Sequence, residues 1–245
     1  MANTTGELEK IWDQEADKYD PDTENNPDYL AHFDIVAEAL KPGPGKKILD
    51  VGSGTAITSG HLASRGAKMY LVDISQKALN FGRKYFARKK LTGKFFRQDV
   101  FNMKLPEKSF DGVWNGGVIE HFKDKEKVEM IKTMWNMVKP GGVLLITCPN
   151  ARDWPFMLAK NILIRRKKWS FGWEDDLTRS RLVDLAIRAG IFRFEVFAYN
   201  PIVGWWFFPY GREITQKLGL NTVKLHKYKI PFGHNLVFRA VKPKN

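Results

Sequence analysis

The strongest constraint on this chain is the order of its elements. A short apolar run, KKILDV at 46–51, is bracketed by turn residues: Pro42, Gly43, Pro44 and Gly45 before it, Gly52, Ser53 and Gly54 after it. A run of that length between turn signals predicts a buried strand. Helical spacing follows from Thr55 to Arg65 and stops at Gly66, a residue suited to closing a helix. The alternation then repeats. A strand is expected at 67–73, a helix from a Ser75 cap to about Lys90, and a strand over KFFRQD after Gly93. A strand at 110–115, a helix at 124–138 stopped by Lys139-Pro140-Gly141-Gly142, and a strand at 143–148 complete the series. Alternation of this kind predicts a parallel sheet covered on both faces, an α/β fold.

After Pro149 the texture changes. Residues 151–175 and 200–230 are irregular, aromatic and basic, and they flank a helix at 178–189 and a strand at 191–199. HNLVFRAV at 234–241 reads as a last strand. The 245 residues contain no internal repeat. The reading is one domain over 1–245: a helical cover at 1–40, a ligand-binding core at 41–150, and two insertions at 151–175 and 200–230.

In an open α/β sheet, ligands bind at the carboxyl ends of the strands, beside the first glycine-rich turn. Here that turn is Asp50-Val51-Gly52-Ser53-Gly54-Thr55-Ala56-Ile57, and an acid, Asp73, ends the next strand. A carboxylate there can accept hydrogen bonds from both hydroxyls of a ribose. A dinucleotide and an adenosyl compound both fit this outline, and an ordinary tight turn does too. Two details bear on the choice. The third glycine of the dinucleotide fingerprint falls at Ile57, and no phosphate-loop lysine is present. Asp50 can face an ammonium group, which S-adenosylmethionine (SAM) carries and a nicotinamide dinucleotide does not.

ILDVGSGTAITSGHLASRG resembles the first motif of the class I SAM-dependent methyltransferases, of the UbiE-like, small-molecule type. LVDIS is similar to the second motif, RQDVFNMKLPEKSFDGVWNGGVIEHF to the third and fourth, and MVKPGGVLLITCPN to the fifth. WDQEADKYD resembles an N-terminal segment whose tyrosine closes over the cofactor. The resemblance covers residues 47–150 and fades beyond. It implies a Rossmann-like, doubly wound sheet of seven strands in the order 3-2-1-4-5-7-6, the last strand antiparallel. It implies SAM as cofactor, held by Gly52, Ser53 and Gly54 along its methionine part and by Asp50 at or near its amino group. Asp73 would bind the ribose, Ile74 would flank the adenine, and Asp99 with Val100 would meet the adenine amino group. Asn115 and Gly116 would lie under the methionine carboxylate or methyl group, and Tyr19 is the lid candidate. One departure from the pattern is Ala56, where the family has a third glycine.

Methyl transfer is an in-line displacement, and it needs a base only when the acceptor atom holds a proton. His121 in VIEHF is the nearest titratable candidate; its alternative role is to hold a helix start, and Glu120 ranks behind it. Cys148, the only cysteine, excludes an internal disulfide and a cysteine-cluster metal site, fits a cytoplasmic setting, and reads as a packed thiol. The start of the chain has no apolar segment of a secretory signal, and no apolar run is long enough to span a membrane.

The net charge of +13 is uneven: residues 1–40 carry 2 basic and 11 acidic side chains, the remainder 38 basic and 16 acidic. An anionic partner for the body follows. Nucleic acid is one option, yet an amino-methylating N/D-P-P-Y/F motif is absent after strand four, where Asn115-Gly116-Gly117-Val118 stands. A tRNA or RNA methyltransferase and a nicotinamide-dependent oxidoreductase therefore remain as alternatives, as does a scaffold without activity. The favoured acceptor is a small molecule, glycan or lipid-like compound, methylated on oxygen or nitrogen. Trp154, Trp169, Trp173, Trp205 and Trp206 lie after strand five, beside basic runs. Aromatic and basic side chains together suit an anionic membrane surface, so 152–173 and 204–212 are expected either to touch the inner face of a membrane or to cap the acceptor pocket.

Overall fold

A computed structural model describes residues 4–20, 27–220, 225 and 229–244, with backbone alone for 27–29. Part of the second insertion, 221–224 and 226–228, lies outside the described residues. Seven strands form one sheet in the order β3-β2-β1-β4-β5-β7-β6. They are β1 (Lys47–Val51), β2 (Lys68–Asp73), β3 (Gly93–Arg97), β4 (Phe110–Gly116), β5 (Val138–Pro149), β6 (Phe194–Tyr199) and β7 (Asn235–Val241). β7 runs antiparallel to both its neighbours, and the pairs among β1 to β5 are parallel. The expected Rossmann-like sheet is therefore present in the expected order.

Eight helices accompany it among the described residues: α1 (Thr5–Ala16), α2 (Pro27–Leu40), α3 (Ile57–Ser64), α4 (Gln76–Arg88), α5 (Asp124–Met137), α6 (Trp154–Arg165), α7 (Arg179–Arg188) and α8 (Gly211–Lys217). Strand side chains alternate between faces, so each strand feeds two cores. Leu49, Val72, Ile146 and Phe238 enter one core with Met130, Ile131 and Met134 of α5 and Leu182 and Leu185 of α7. Ile48, Leu71, Leu145 and Val237 enter the other, with Val36 and Leu40 of α2, Leu62 of α3 and Phe86 of α4. None of the described helices is long and apolar enough to cross a membrane.

Capping explains several boundaries. The Ser75 hydroxyl accepts from the N–H of Ala78 at 3.0 Å and starts α4. Gly66 ends the α3 turn with φ +94°, a backbone that costs glycine little.

Two expectations need correction. β5 begins at Val138 and runs through Pro140-Gly141-Gly142, because the N–H of Gly141 donates to the carbonyl of Lys242 and Gly142 accepts from Lys242. The region 151–175 is also less irregular than its composition suggests. It contains α6, started by Asp153 accepting from Phe156 N–H at 3.3 Å, with Pro155 in the first turn. The polarity of α6 changes along its axis instead of around it, which hides the helical period from the sequence. In 200–230, α8 likewise adds a helical turn after a short 3-10 segment at Val203–Phe207.

Candidate active site

β1 ends in a turn whose backbone alternates sharply. Gly52, Gly54 and Ala56 all have positive φ, at +77°, +48° and +58°. The amides of Gly52 and Ser53 both donate to the carbonyl of Val72, at 2.8 and 3.1 Å, which ties the turn to β2. A side chain at Gly52 would meet the Val118 Cγ2 methyl at 2.4 Å, so only glycine fits there. Ala56 opens α3 from the left-handed region, which penalises a Cβ. The α4 residue opposite is Gly82, where an added Cβ would stand 3.0 Å from the Ala56 methyl. The missing side chain of Gly82 makes room for the alanine that replaces the family's glycine.

The turn borders a cavity at the carboxyl ends of β1 to β4. Gly52, Gly54, Asp73, Ile74, Asp99, Val100 and Gly116 line it, together with Gln98, Gly117, Val118, His121 and Phe122. Thr5, Leu8 and Trp12 of α1 close it from above, with Tyr19 just beyond. Polar contacts seat this cover. Thr5 donates to Asp99 at 3.2 Å, Ser75 donates to Asp13 at 2.6 Å, Lys77 pairs with Asp17 at 2.7 Å, and Arg97 pairs with Glu9.

Asp73 is the main polar group of the cavity floor and is 7% exposed. Its Oδ2 accepts from Gly54 N–H at 2.8 Å and its Oδ1 from Ser75 N–H at 2.9 Å. Burial raises its pKa, against those backbone donors. Asp99 caps the 3-10 turn at Val100–Asn102 by accepting from Phe101 N–H at 2.9 Å.

Three expected cofactor residues lie off this lining. Asp50 sits behind the turn, accepts from the Ser59 hydroxyl at 2.5 Å, and is pushed up to about 7 by burial, with Asp73 adding to the rise. Asn115 is fully buried and donates its amide to the carbonyl of Val51, fastening β4 to β1. Ser53 faces a second cavity.

That second cavity lies on the other side of the glycine turn. It shares Tyr19, Gly52, Gly54, Gly116 and Gly117 with the first. His32, Phe33, Trp114 and Phe171 give it aromatic walls, and Thr147, Cys148 and Asn235 also line it. His32 Nδ1 lies 2.6 Å from the Tyr199 hydroxyl. Cys148 is buried and its thiol is pushed up by burial, which suits a packed, inert group.

The two titratable neighbours Glu120 and His121 part company here. His121 faces the first cavity, edge-on to Trp12 at 5.3 Å between ring centroids, and burial pushes it down to about 4. Glu120 faces the second cavity and is 4% exposed, and its Oε2 has no hydrogen-bond partner. Burial, with Glu174 nearby, pushes it up to about 8. The sequence ranked these two by residue type; the chain direction after β4 ranks them differently.

An acidic run in the first insertion backs this wall, and the sequence reading missed it. Lys160 of α6 pairs with Glu174 at 2.7 Å and Asp176 at 2.5 Å. Lys127 of α5, fully buried, pairs with Asp175, which Arg181 also holds at 2.7 Å. The Asp175 N–H donates to the Glu120 carbonyl at 2.8 Å. Its signal in the sequence is Glu174-Asp175-Asp176 standing alone in a basic stretch.

The donor set discriminates between ligands. The first cavity is lined by no Lys or Arg, and neither Asp50 nor Asp73 has a salt-bridge partner among the described residues. A pyrophosphate would face Asp73 and Asp99 without a counter-charge, whereas SAM brings positive charge to a cavity lined by carboxylates. The residues present fit SAM and disfavour a dinucleotide.

Known proteins agree. A family model described as a methyltransferase domain matches residues 48–142. The chain is 25% identical over 209 residues to a ubiquinone biosynthesis O-methyltransferase of Parvibaculum lavamentivorans, covering 80% of this chain and 82% of that one. In fold it is similar to a possible histamine N-methyltransferase of Thermotoga maritima, with TM-score 0.69, 19% identity, and 95% and 99% of the two chains covered. It is also similar in fold to phosphoethanolamine N-methyltransferase 2 of Haemonchus contortus, solved with SAM, with TM-score 0.67, 18% identity, and 95% and 57% covered. With the seven-stranded order, the glycine turn and the acid after β2, these findings identify an enzyme that uses SAM, built on a SAM-dependent methyltransferase domain.

Proposed function

We propose that the chain methylates an oxygen or nitrogen of a small acceptor with an apolar, flat body, of glycan or lipid-like origin, seated in the second cavity. The observation that supports this most is the junction of the two cavities at Gly52, Gly54, Gly116, Gly117 and Tyr19. SAM, when bound, supplies a methyl group on a positively charged sulfur. The residues of this chain do the rest by position and exclusion of water, which carry most of such a displacement.

Asp73 holds the ribose hydroxyls with the acceptor capacity its backbone donors leave. Ile74 and Val100 flank the adenine, and Asp99 accepts from its amino group. Gly52 and Gly54 admit the methionine part close to the backbone, with Gly116 beneath it. Asp50 acts from behind the turn through its charge, and Ser53 and Asn115 shape the loop. Tyr19, packed edge-on against Phe81 at 5.4 Å, closes the junction. For an acceptor that bears a proton, Glu120 is the base, because it faces the acceptor side with a free oxygen, and His121 packs under Trp12 as a positioning residue.

Calorimetry with SAM, followed by a labelled-SAM screen of lipid, glycan and tRNA fractions, tests this reading. Methyl transfer into the lipid or glycan fraction is the expected result. Transfer confined to tRNA, or no SAM binding, would overturn it.

A further inference from the structure

Large apolar side chains exposed on this protein are not scattered. Of the fourteen among the described residues, nine fall in α6 and in residues 205–220. On α6 the outward stripe starts with Trp154 and Leu158, 59% and 48% exposed. On α8 and its flanks, Tyr210, Ile214 and Leu218 stand one turn apart at 76%, 53% and 68%. The two are physically joined. The Trp154 ring packs edge-on against Trp205, 4.9 Å between centroids. Trp206 donates its indole N–H to Thr215 of α8 at 3.0 Å. One end of the molecule therefore carries a continuous apolar face, larger in kind than the single exposed residues every soluble protein shows.

Charge says what this face can meet. Arg165, Arg166, Lys167 and Lys168 follow the α6 stripe, all exposed, and 154–168 contains no acidic residue. Lys217 lies beside Leu218, and the Arg212 guanidinium stacks over Trp206 at 5.3 Å. A second copy docked face to face would bring this basic group toward its own like. A bilayer leaflet with anionic headgroups offers the complement: hydrocarbon for Trp, Leu and Ile, and phosphate for Arg and Lys.

We propose that α6, the 3-10 segment after β6 and α8 form a docking face for an anionic lipid surface. The inference rests on the methyltransferase reading above and adds to it the surface on which a lipid-like acceptor would be met. Phe207, exposed on the face, packs on Phe156 at 5.0 Å, Phe156 on Trp169 at 6.1 Å, and Trp169 on Phe171 at 5.2 Å. Phe171 is a wall of the second cavity. These ring contacts, through the buried Phe156, tie the docking face to the wall of the second cavity.

The test is flotation of the full chain with vesicles of phosphatidylcholine alone and of phosphatidylcholine mixed equally with phosphatidylglycerol, at low and high salt. Binding to the mixed vesicles, largely released by high salt, is expected. Arg166→Glu with Lys167→Glu should weaken it by about 30-fold or more, from two basic residues at the surface. Ile214→Glu with Leu218→Glu should weaken it comparably. Calorimetry with SAM on the same proteins should give unchanged affinity, which shows that both double variants are folded. The proposal fails if the unmodified chain does not float with mixed vesicles, if it binds neutral vesicles equally well, or if neither double variant changes binding. It also fails if sedimentation shows a dimer that the apolar double variant dissolves while vesicles leave it intact. A chain that floats but binds no SAM would leave the docking face standing and remove the methyltransferase reading beneath it.

Discussion

The amide of Gly54 donates to Oδ2 of Asp73 at 2.8 Å, across 19 residues of sequence. One carboxylate therefore organises the glycine turn and faces the cofactor cavity. An ionised carboxylate offers about four acceptor positions, and Gly54 and Ser75 use two. With the Ile74 N–H also turned to this carboxylate, what remains is open to ribose hydroxyls. Asp73→Ala should weaken SAM binding by about 1–3 kcal/mol, from one or two lost hydrogen bonds. Calorimetry reads this directly, and wild-type affinity in the variant would remove Asp73 from the ribose site.

Glu120→Gln separates chemistry from binding. The variant keeps the size of the side chain and loses the base, so kcat should fall by about 100-fold or more on a proton-bearing acceptor. SAM affinity should stay unchanged, since Glu120 does not line the cofactor cavity. In the unmodified enzyme, kcat/KM should rise with pH through a midpoint near 8, to a plateau above it, as Glu120 loses its proton. A rising limb that persists in the variant would assign it to another group.

The same residue links pH to stability. Its pKa is raised from 4.5 to about 8 in the folded chain. Between those values the folded protein holds a proton that the unfolded chain has released. The contribution to stability is complete below about 4.5 and is lost as pH rises through about 8. Glu120→Gln has no such titration, so it should gain on the wild type by up to about 1.4 kcal/mol per pH unit in that window. Urea unfolding at the two ends of the window measures it, and a gap independent of pH would contradict the buried, protonated carboxyl.

Lys160 holds Glu174 and Asp176 from a position only 2% exposed. Removing one partner of a buried pair leaves an uncompensated charge, at a cost of about 3–5 kcal/mol. Lys160→Met should show a loss of that order in denaturant unfolding. A loss under about 1 kcal/mol would mean that the acidic run finds water instead.

The legible part of the molecule is the part where local pattern and global fold agree. β1 to β4 and their helices declare themselves through turn residues and apolar runs, and the glycine turn with Asp73 places the cofactor side. Asp50 and Asn115 look like ligand contacts in sequence because they flank the turn; strand pleating sends both inward, to Ser59 and Val51. Glu120 and His121 are adjacent in sequence, and only the 3-10 turn at Ile119–His121 decides which cavity each one faces. The second cavity is the least legible part. Its walls come from α2, β4 and the first insertion, which the Lys160–Glu174 pair braces from within and the Lys127–Asp175 pair fastens to α5 across 48 residues.

The seating of α1 alters the meaning of the chain's lopsided charge. Glu9, Asp13 and Asp17 are spent on Arg97, Ser75 and Lys77, beside the cofactor cavity. Acids of α1 and its cap thus act as internal counter-ions to two cations of the basic body. What a polyanion outside can sense depends less on the net +13 than on where that internal neutralisation stops. It stops short of α6, whose exposed Arg165, Arg166, Lys167 and Lys168 are left facing outward beside the aromatic face.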